Sequence, residues 1–157
     1  VAPKQKPGRS KQDYCTPPDF LEAVQKRLQE EFTWDLAASK ENAIADHFYT
    51  EEDNSLIQDW SALAGWLWCN PPFGHIAPWV EKAACNSNDG AKIAMLVPAS
   101  VGANWWLEWV DDIAYVLFLN GRLTFSGETT PYPKDCALLL YTPFIRRGYD
   151  IWSWSAK

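Results

Sequence analysis

Asn70, Pro71, Pro72 and Phe73 set a polar amide, two prolines and an aromatic ring at the tip of an otherwise apolar run, "GWLWC". Proline has no N–H to give to a sheet ladder and fixes its own φ, so Pro71 and Pro72 end a strand abruptly. The carbonyl oxygens near Asn70 and Pro71 are then directed outwards, unclaimed by regular structure. Asn70 adds a side-chain oxygen acceptor and an amide donor, Phe73 an aromatic face, and Gly74 a point where the chain can turn away. Two acceptor oxygens beside a ring suit a planar group bearing an amino substituent: the oxygens take its two N–H protons while the ring stacks on its plane. The competing reading is a strand terminator, with Asn70 capping and Phe73 filling core.

A second strand end has the composition of a ligand turn. In "FTWDLAAS", Phe32, Trp34 and Leu36 alternate with Thr33 and Asp35, and the run finishes in the small residues Ala37, Ala38 and Ser39. Ahead of it, Phe20, Val24, Leu28 and Phe32 recur every four residues and predict a helix with one apolar face. Thr16 is read as its N-cap, Pro17 as its first residue, and Asp19 as completing a capping box.

"GWLWC" and "AKIAMLVPAS" are apolar throughout, as central parallel strands buried on both faces must be. "AYVLFLNG" reads as another strand. "APWVEKAAC" and "NWWLEWVDDI" read as helices, and "RLTF" with "CALLLYTPF" as a closing antiparallel pair joined by the loop "SGETTPYPKD". Helices alternating with buried strands predict a three-layer α/β sandwich with a mostly parallel sheet. Such sheets bind ligands beyond the C-terminal ends of their strands, where strand order reverses. The tips at Asp35 and Asn70 are therefore expected to open onto one crevice. So little chain lies between Asn42 and Cys69 that this half of the sheet is expected to be trimmed.

The 157 residues fit a single domain, over residues 14–157, preceded by a flexible basic arm, residues 1–13, that carries Lys4, Lys6, Arg9 and Lys11. A net charge of -6 argues against a protein that coats nucleic acid by charge alone. Four dispersed cysteines without a C-x-x-C pair, and two histidines, make no zinc pattern, so no metal is expected. The cysteines read as free thiols, three of them in apolar surroundings. No stretch reaches the about 18 apolar residues that span a bilayer, and no apolar signal core opens the chain, so the expectation is a soluble cytoplasmic protein with no membrane partner.

The Asn70–Phe73 corner resembles the D/N/S-P-P-Y/F/W motif of S-adenosylmethionine-dependent amino methyltransferases. More narrowly, the chain resembles the phage and prophage DNA N-6-adenine methyltransferase (Dam) family. The resemblance is carried by Thr16-Pro17, "DLAASKEN" (Asp35 to Asn42), "NPPFGHIAPWVEK" (Asn70 to Lys82), "LVPAS" (Leu96 to Ser100) and "GRLTF" (Gly121 to Phe125), in that order over about residues 13–142.

The resemblance implies a Rossmann-like methyltransferase fold and methyl transfer from S-adenosylmethionine to adenine N6 in DNA, in a phage or prophage protein working inside a bacterial host. It implies catalytic roles for Asn70, Pro71, Pro72 and Phe73. Cofactor contacts are implied for Tyr14, Thr16, Pro17, Asp35, Ala37, Ala38, Ser39, Asn42 and Asn70, with Asp53 and Asn54 expected near the ribose or adenine. A base inside a duplex cannot reach such a corner, so flipping is implied. With no separate target-recognition domain expected, DNA contact falls to the arm, Arg122 and Lys134; the arm would touch phosphates. Other amino acceptors (RNA adenine, cytosine N4, protein glutamine) and a non-catalytic acidic phage protein that occupies a DNA-binding partner are the alternatives.

Overall fold

The computed structural model describes residues 14–144 and 147–156. The basic arm, with Lys4, Lys6, Arg9 and Lys11, lies outside the described residues.

The elements are α1 (Pro18–Leu28), β1 (Phe32–Asp35), β2 (His47–Phe48), β3 (Trp66–Cys69), α2 (Ala77–Asn88), β4 (Lys92–Pro98), α3 (Asn104–Trp109), β5 (Tyr115–Leu119), β6 (Cys136–Tyr141) and β7 (Gly148–Trp152). The strands form one sheet in the order β2-β1-β3-β4-β6-β5-β7. All neighbours run parallel except β6, which is antiparallel to both β4 and β5.

Strand side chains alternate between the two faces, and both faces are covered. Leu67 and Cys69 of β3 and Ile93, Met95 and Val97 of β4 pack under Trp79, Val80 and Ala83 of α2 and Trp106 of α3. Trp66, Trp68, Ala94 and Leu96 meet Phe20 and Val24 of α1 on the other face. This three-layer, mostly parallel arrangement bears out the expected Rossmann-like class, and β2, only two residues long, is the trimmed element.

The start of α1 differs from expectation for a steric reason. A residue that precedes proline is pushed out of the helical region. Pro17 precedes Pro18, so it stays extended (φ -61°, ψ 132°) and occupies the N-cap, without a side-chain cap bond. Thr16 is thereby freed from capping. The helix stops at Gln29, which adopts a left-handed φ of 59°. Phe32 then opens β1 instead of extending the helical stripe, and its N–H donates to Gln25 Oε1 at 3.0 Å.

One further expectation is corrected, and one strand was not foreseen. "RLTF" forms no strand: Leu123 and Phe125 are buried loop residues, and β6 pairs with β4 and β5 instead. "GYDIW" forms β7 on the sheet edge, where four of its five residues are exposed, so no apolar pattern marked it. Cys69 and Cys136 are buried, whereas Cys85 is exposed. Among the described residues no helix is long and apolar enough to cross a membrane, and no three His, Cys, Asp or Glu side chains come together around a metal position.

The turn into β3 depends on Gly65. Its φ is +80°, and a Cβ there would lie 2.7 Å from Thr33 Cγ2. Thr33 cannot move away freely, because its hydroxyl donates to the Ala64 carbonyl at 2.7 Å. Gly65→Ala is therefore expected to destabilise the fold by about 1–3 kcal/mol, seen as a lowered denaturant midpoint with an unchanged slope; an unaltered midpoint would refute the account.

Candidate active site

The chain leaves β1 to form β2 on one side of it and later returns to form β3 on the other. Strand order reverses between β1 and β3, the position where such sheets open a crevice. Asp35 lies opposite Trp68 in that pair, so the β1 tip and the Asn70 corner are neighbours, as expected.

Asp35 is buried (3% exposed), and desolvation pushes its carboxyl up to about 6. The N–H groups of Ala37 (3.2 Å) and Ile44 (3.1 Å) donate to its two oxygens and oppose the rise. The carboxylate thus holds the turn after β1 folded around itself. Ser39 and Asn42 complete that turn reciprocally: Ser39 N–H donates to Asn42 Oδ1 at 2.6 Å, and Asn42 N–H to Ser39 Oγ at 3.3 Å. The Ala38 N–H donates to the Tyr49 carbonyl, tying the turn to the end of β2.

At the second tip, Asn70 Nδ2 donates to the Tyr14 carbonyl at 2.9 Å and to Thr16 Oγ1 at 3.2 Å. A backbone carbonyl only accepts, so the amide nitrogen must face the Tyr14–Thr16 segment, and Oδ1 faces the other way. Pro72 O accepts from His75 N–H, whereas among the described residues neither Asn70 Oδ1 nor Pro71 O accepts a hydrogen bond. Two acceptor oxygens at one rigid corner therefore have no donor among the described residues.

Phe73 belongs to a group of four rings. Tyr14 stacks on it with centroids 5.9 Å apart and planes at 18°, and Phe125 and Tyr132 meet it edge-on at 6.0 and 5.5 Å. Burial raises the Tyr132 hydroxyl to about 12, so it stays protonated.

Six of the expected residues line one narrow cleft: Tyr14, Thr16, Asp35, Ala37, Asn42 and Asn70. An adjoining cavity shares Ala37 and is bounded by Ala38, Asn54 and Pro72. Pro17 and Ser39 serve the backbone turns described above. Asp53 is turned inward on its own loop, where Oδ2 accepts from the Thr50 N–H at 2.8 Å and hydroxyl at 3.0 Å.

Arg122 pairs with Asp135 at 3.2 Å, both exposed, and Lys134 is exposed beside it. Because β5 ends and antiparallel β6 begins on the crevice side of the sheet, both basic residues lie at that rim. Sequence reasoning missed Tyr49, Glu51 and Trp79, which also line the adjoining cavity. The only available signal was a carboxylate shortly after the second strand, and a two-residue β2 hides where that strand ends.

A family model described as DNA N-6-adenine-methyltransferase (Dam) matches residues 4–149. The chain is similar to a DNA N-6-adenine-methyltransferase of Escherichia phage T1, at 28% identity over 87% of this chain and 57% of that protein. It is also similar to a DNA N-6-adenine-methyltransferase of Haemophilus phage HP1, at 26% identity over 83% of this chain and 78% of the relative. The chain thus spans little more than half the length of the phage T1 relative. With the family match covering nearly all of its length, the chain belongs to the DNA N-6-adenine-methyltransferase (Dam) family.

Proposed function

We propose that the chain transfers a methyl group from S-adenosylmethionine to the exocyclic N6 of adenine in DNA. The observation that carries this reading is the corner at Asn70, where neither Oδ1 nor the Pro71 carbonyl has a donor among the described residues, beside a buried carboxylate on the adjacent strand tip.

The cofactor's chemistry fits the residues present. The cleft around Asp35 has no Lys, Arg or His among its lining residues, so it favours a cation. S-adenosylmethionine, when bound, supplies a methyl carbon made electrophilic by its sulfonium. Asp35 would hold its cationic end, with Ala37 and Ala38 allowing close backbone approach. Glu51 offers a carboxylate to ribose hydroxyls in the adjoining cavity; Asp53, already engaged with Thr50, is less suited to that role.

The adenine amino nitrogen is a weak nucleophile, because its lone pair is delocalised into the ring. Asn70 Oδ1 and Pro71 O would accept its two protons, favour a more tetrahedral nitrogen and stabilise the positive charge that grows on it. Fixing the amine in line is worth much of the rate by itself. Phe73 would stack on the flipped base, worth about 1–3 kcal/mol, with Arg122, Lys134 and the arm on the phosphates. The phage relatives favour a place of action in the cytoplasm of a bacterial host.

The test is to incubate the protein with methyl-labelled cofactor and DNA, RNA or protein, and to hydrolyse the products. Label recovered as N6-methyladenine from DNA is expected. Label confined to RNA, to protein or to N4-methylcytosine would overturn the assignment.

A further inference from the structure

We infer that the Tyr14–Thr16 segment decides which atom of Asn70 the substrate meets, so that Thr16 and the Tyr14 carbonyl are positioning groups for methyl transfer. This rests on the proposed role of Asn70 as acceptor. An asparagine amide can present its oxygen or its NH2 to the crevice, and only the oxygen can take a proton from an amine. The choice is made from behind: the Tyr14 carbonyl, 2.9 Å from Nδ2, tolerates only a donor, and Thr16 Oγ1 at 3.2 Å accepts from the same nitrogen. The segment is itself anchored on both sides. Ser126 N–H donates to the Cys15 carbonyl at 3.1 Å, and Pro17 enters α1, whose Leu21 N–H donates to the Pro17 carbonyl at 3.0 Å. Thr16 is available for this task because the Pro17-Pro18 pair removes it from the helix cap.

The arrangement predicts that aspartate cannot replace asparagine here, although the wider motif accepts either. A carboxylate has acceptors on both sides, and one of them would face the Tyr14 carbonyl lone pairs. The titratable groups facing it in the cleft are Asp35 on β1 and Tyr14 and Cys15 on the segment, with no Lys, Arg or His among the lining residues. The like charge of Asp35 and the lack of a neighbouring cation disfavour its charge. Protonated, the carboxyl would donate to the Tyr14 carbonyl and present its other oxygen forward, copying asparagine.

The experiment measures kcat and both KM values of the full chain for wild type, Thr16→Val, Thr16→Ser, Asn70→Asp and Asn70→Ala, between pH 6 and 8. Thr16→Val is expected to lower kcat about 3- to 10-fold, the worth of one hydrogen bond, with both KM values nearly unchanged, and Thr16→Ser to restore it. The kcat of Asn70→Asp relative to wild type is expected to be about tenfold higher at pH 6 than at pH 8, as one ionisation spread over that range allows. A ratio independent of pH, or a Thr16→Val enzyme with wild-type kcat, overturns the inference. Asn70→Ala separates the two levels: if it keeps wild-type kcat, the acceptor role itself is wrong, whereas loss there with a flat Asn70→Asp ratio removes only the positioning role.

Discussion

Asn70→Ala is expected to reduce kcat for methyl transfer about 10²- to 10³-fold, the range seen when one preorganised electrostatic partner of a transition state is removed. The substitution deletes Oδ1 and leaves Pro71 O as the sole acceptor at the corner. It also deletes the Nδ2 bonds to Tyr14 O and Thr16 Oγ1, which fold the entry segment against the site. Those two bonds set the structural cost, and a net hydrogen bond is worth about 0.5–1.5 kcal/mol, so the fold survives. Asp35 keeps its own partners, the Ala37 and Ile44 N–H groups, and none of them involves Asn70. Cofactor affinity by calorimetry should therefore stay within a few-fold of wild type while turnover collapses. Turnover retained within threefold would remove Asn70 from the chemistry. A parallel loss of affinity and melting temperature would make it a structural residue instead.

What could be read in the chain divides along physical lines. Apolar runs such as "WLWC" and "IAMLVP" declare themselves because a strand buried on both faces carries few polar side chains, and both became central strands. Two strand tips were legible for a related reason: the prolines at 71 and 72 cannot continue a ladder, and Ala37 and Ala38 add no bulk at a turn that a ligand must approach. Placement of Asp35 beside Asn70 then followed from parallel topology alone. The failures share the opposite cause. β7 is an exposed edge and β2 has two residues, so neither leaves an apolar signature. Leu123 and Phe125 look like strand residues because they are buried, but they fill the second core from a loop. Thr16 satisfied the pattern of a helix cap, and only the conformational demand of consecutive prolines shows why its hydroxyl goes to Asn70.

Asp35 carries the second large effect, in which the pH dependence of stability and of binding run in opposite directions. Its folded pKa of about 6 stands above the ordinary 3.8, so between those values the folded chain binds more protons than the unfolded one. Stability of the ligand-free protein must then fall as pH rises from about 4 to about 6, by on the order of 3 kcal/mol from this group. The gain is fully present below the unfolded value and gone above the folded one. A cation bound in the cleft needs the ionised form, the one the fold disfavours. Affinity for S-adenosylmethionine is therefore expected to rise up to tenfold per pH unit below about 6 and to level off above it. Binding near the lower pH should expel a proton, measurable as a buffer-dependent heat. Asp35→Asn should cost about 2–3 kcal/mol of affinity at pH 7.5, as for a lost charge-assisted bond, which is about 30- to 150-fold, and should flatten the profile. It also sets an NH2 against the Ala37 or Ile44 N–H, so the turn loses one of its two ties. Comparing the variant's melting curve at pH 5 and pH 7.5 isolates that loss. If wild-type affinity stays constant from pH 5 to 7.5, the Asp35 carboxylate is not what holds the cation.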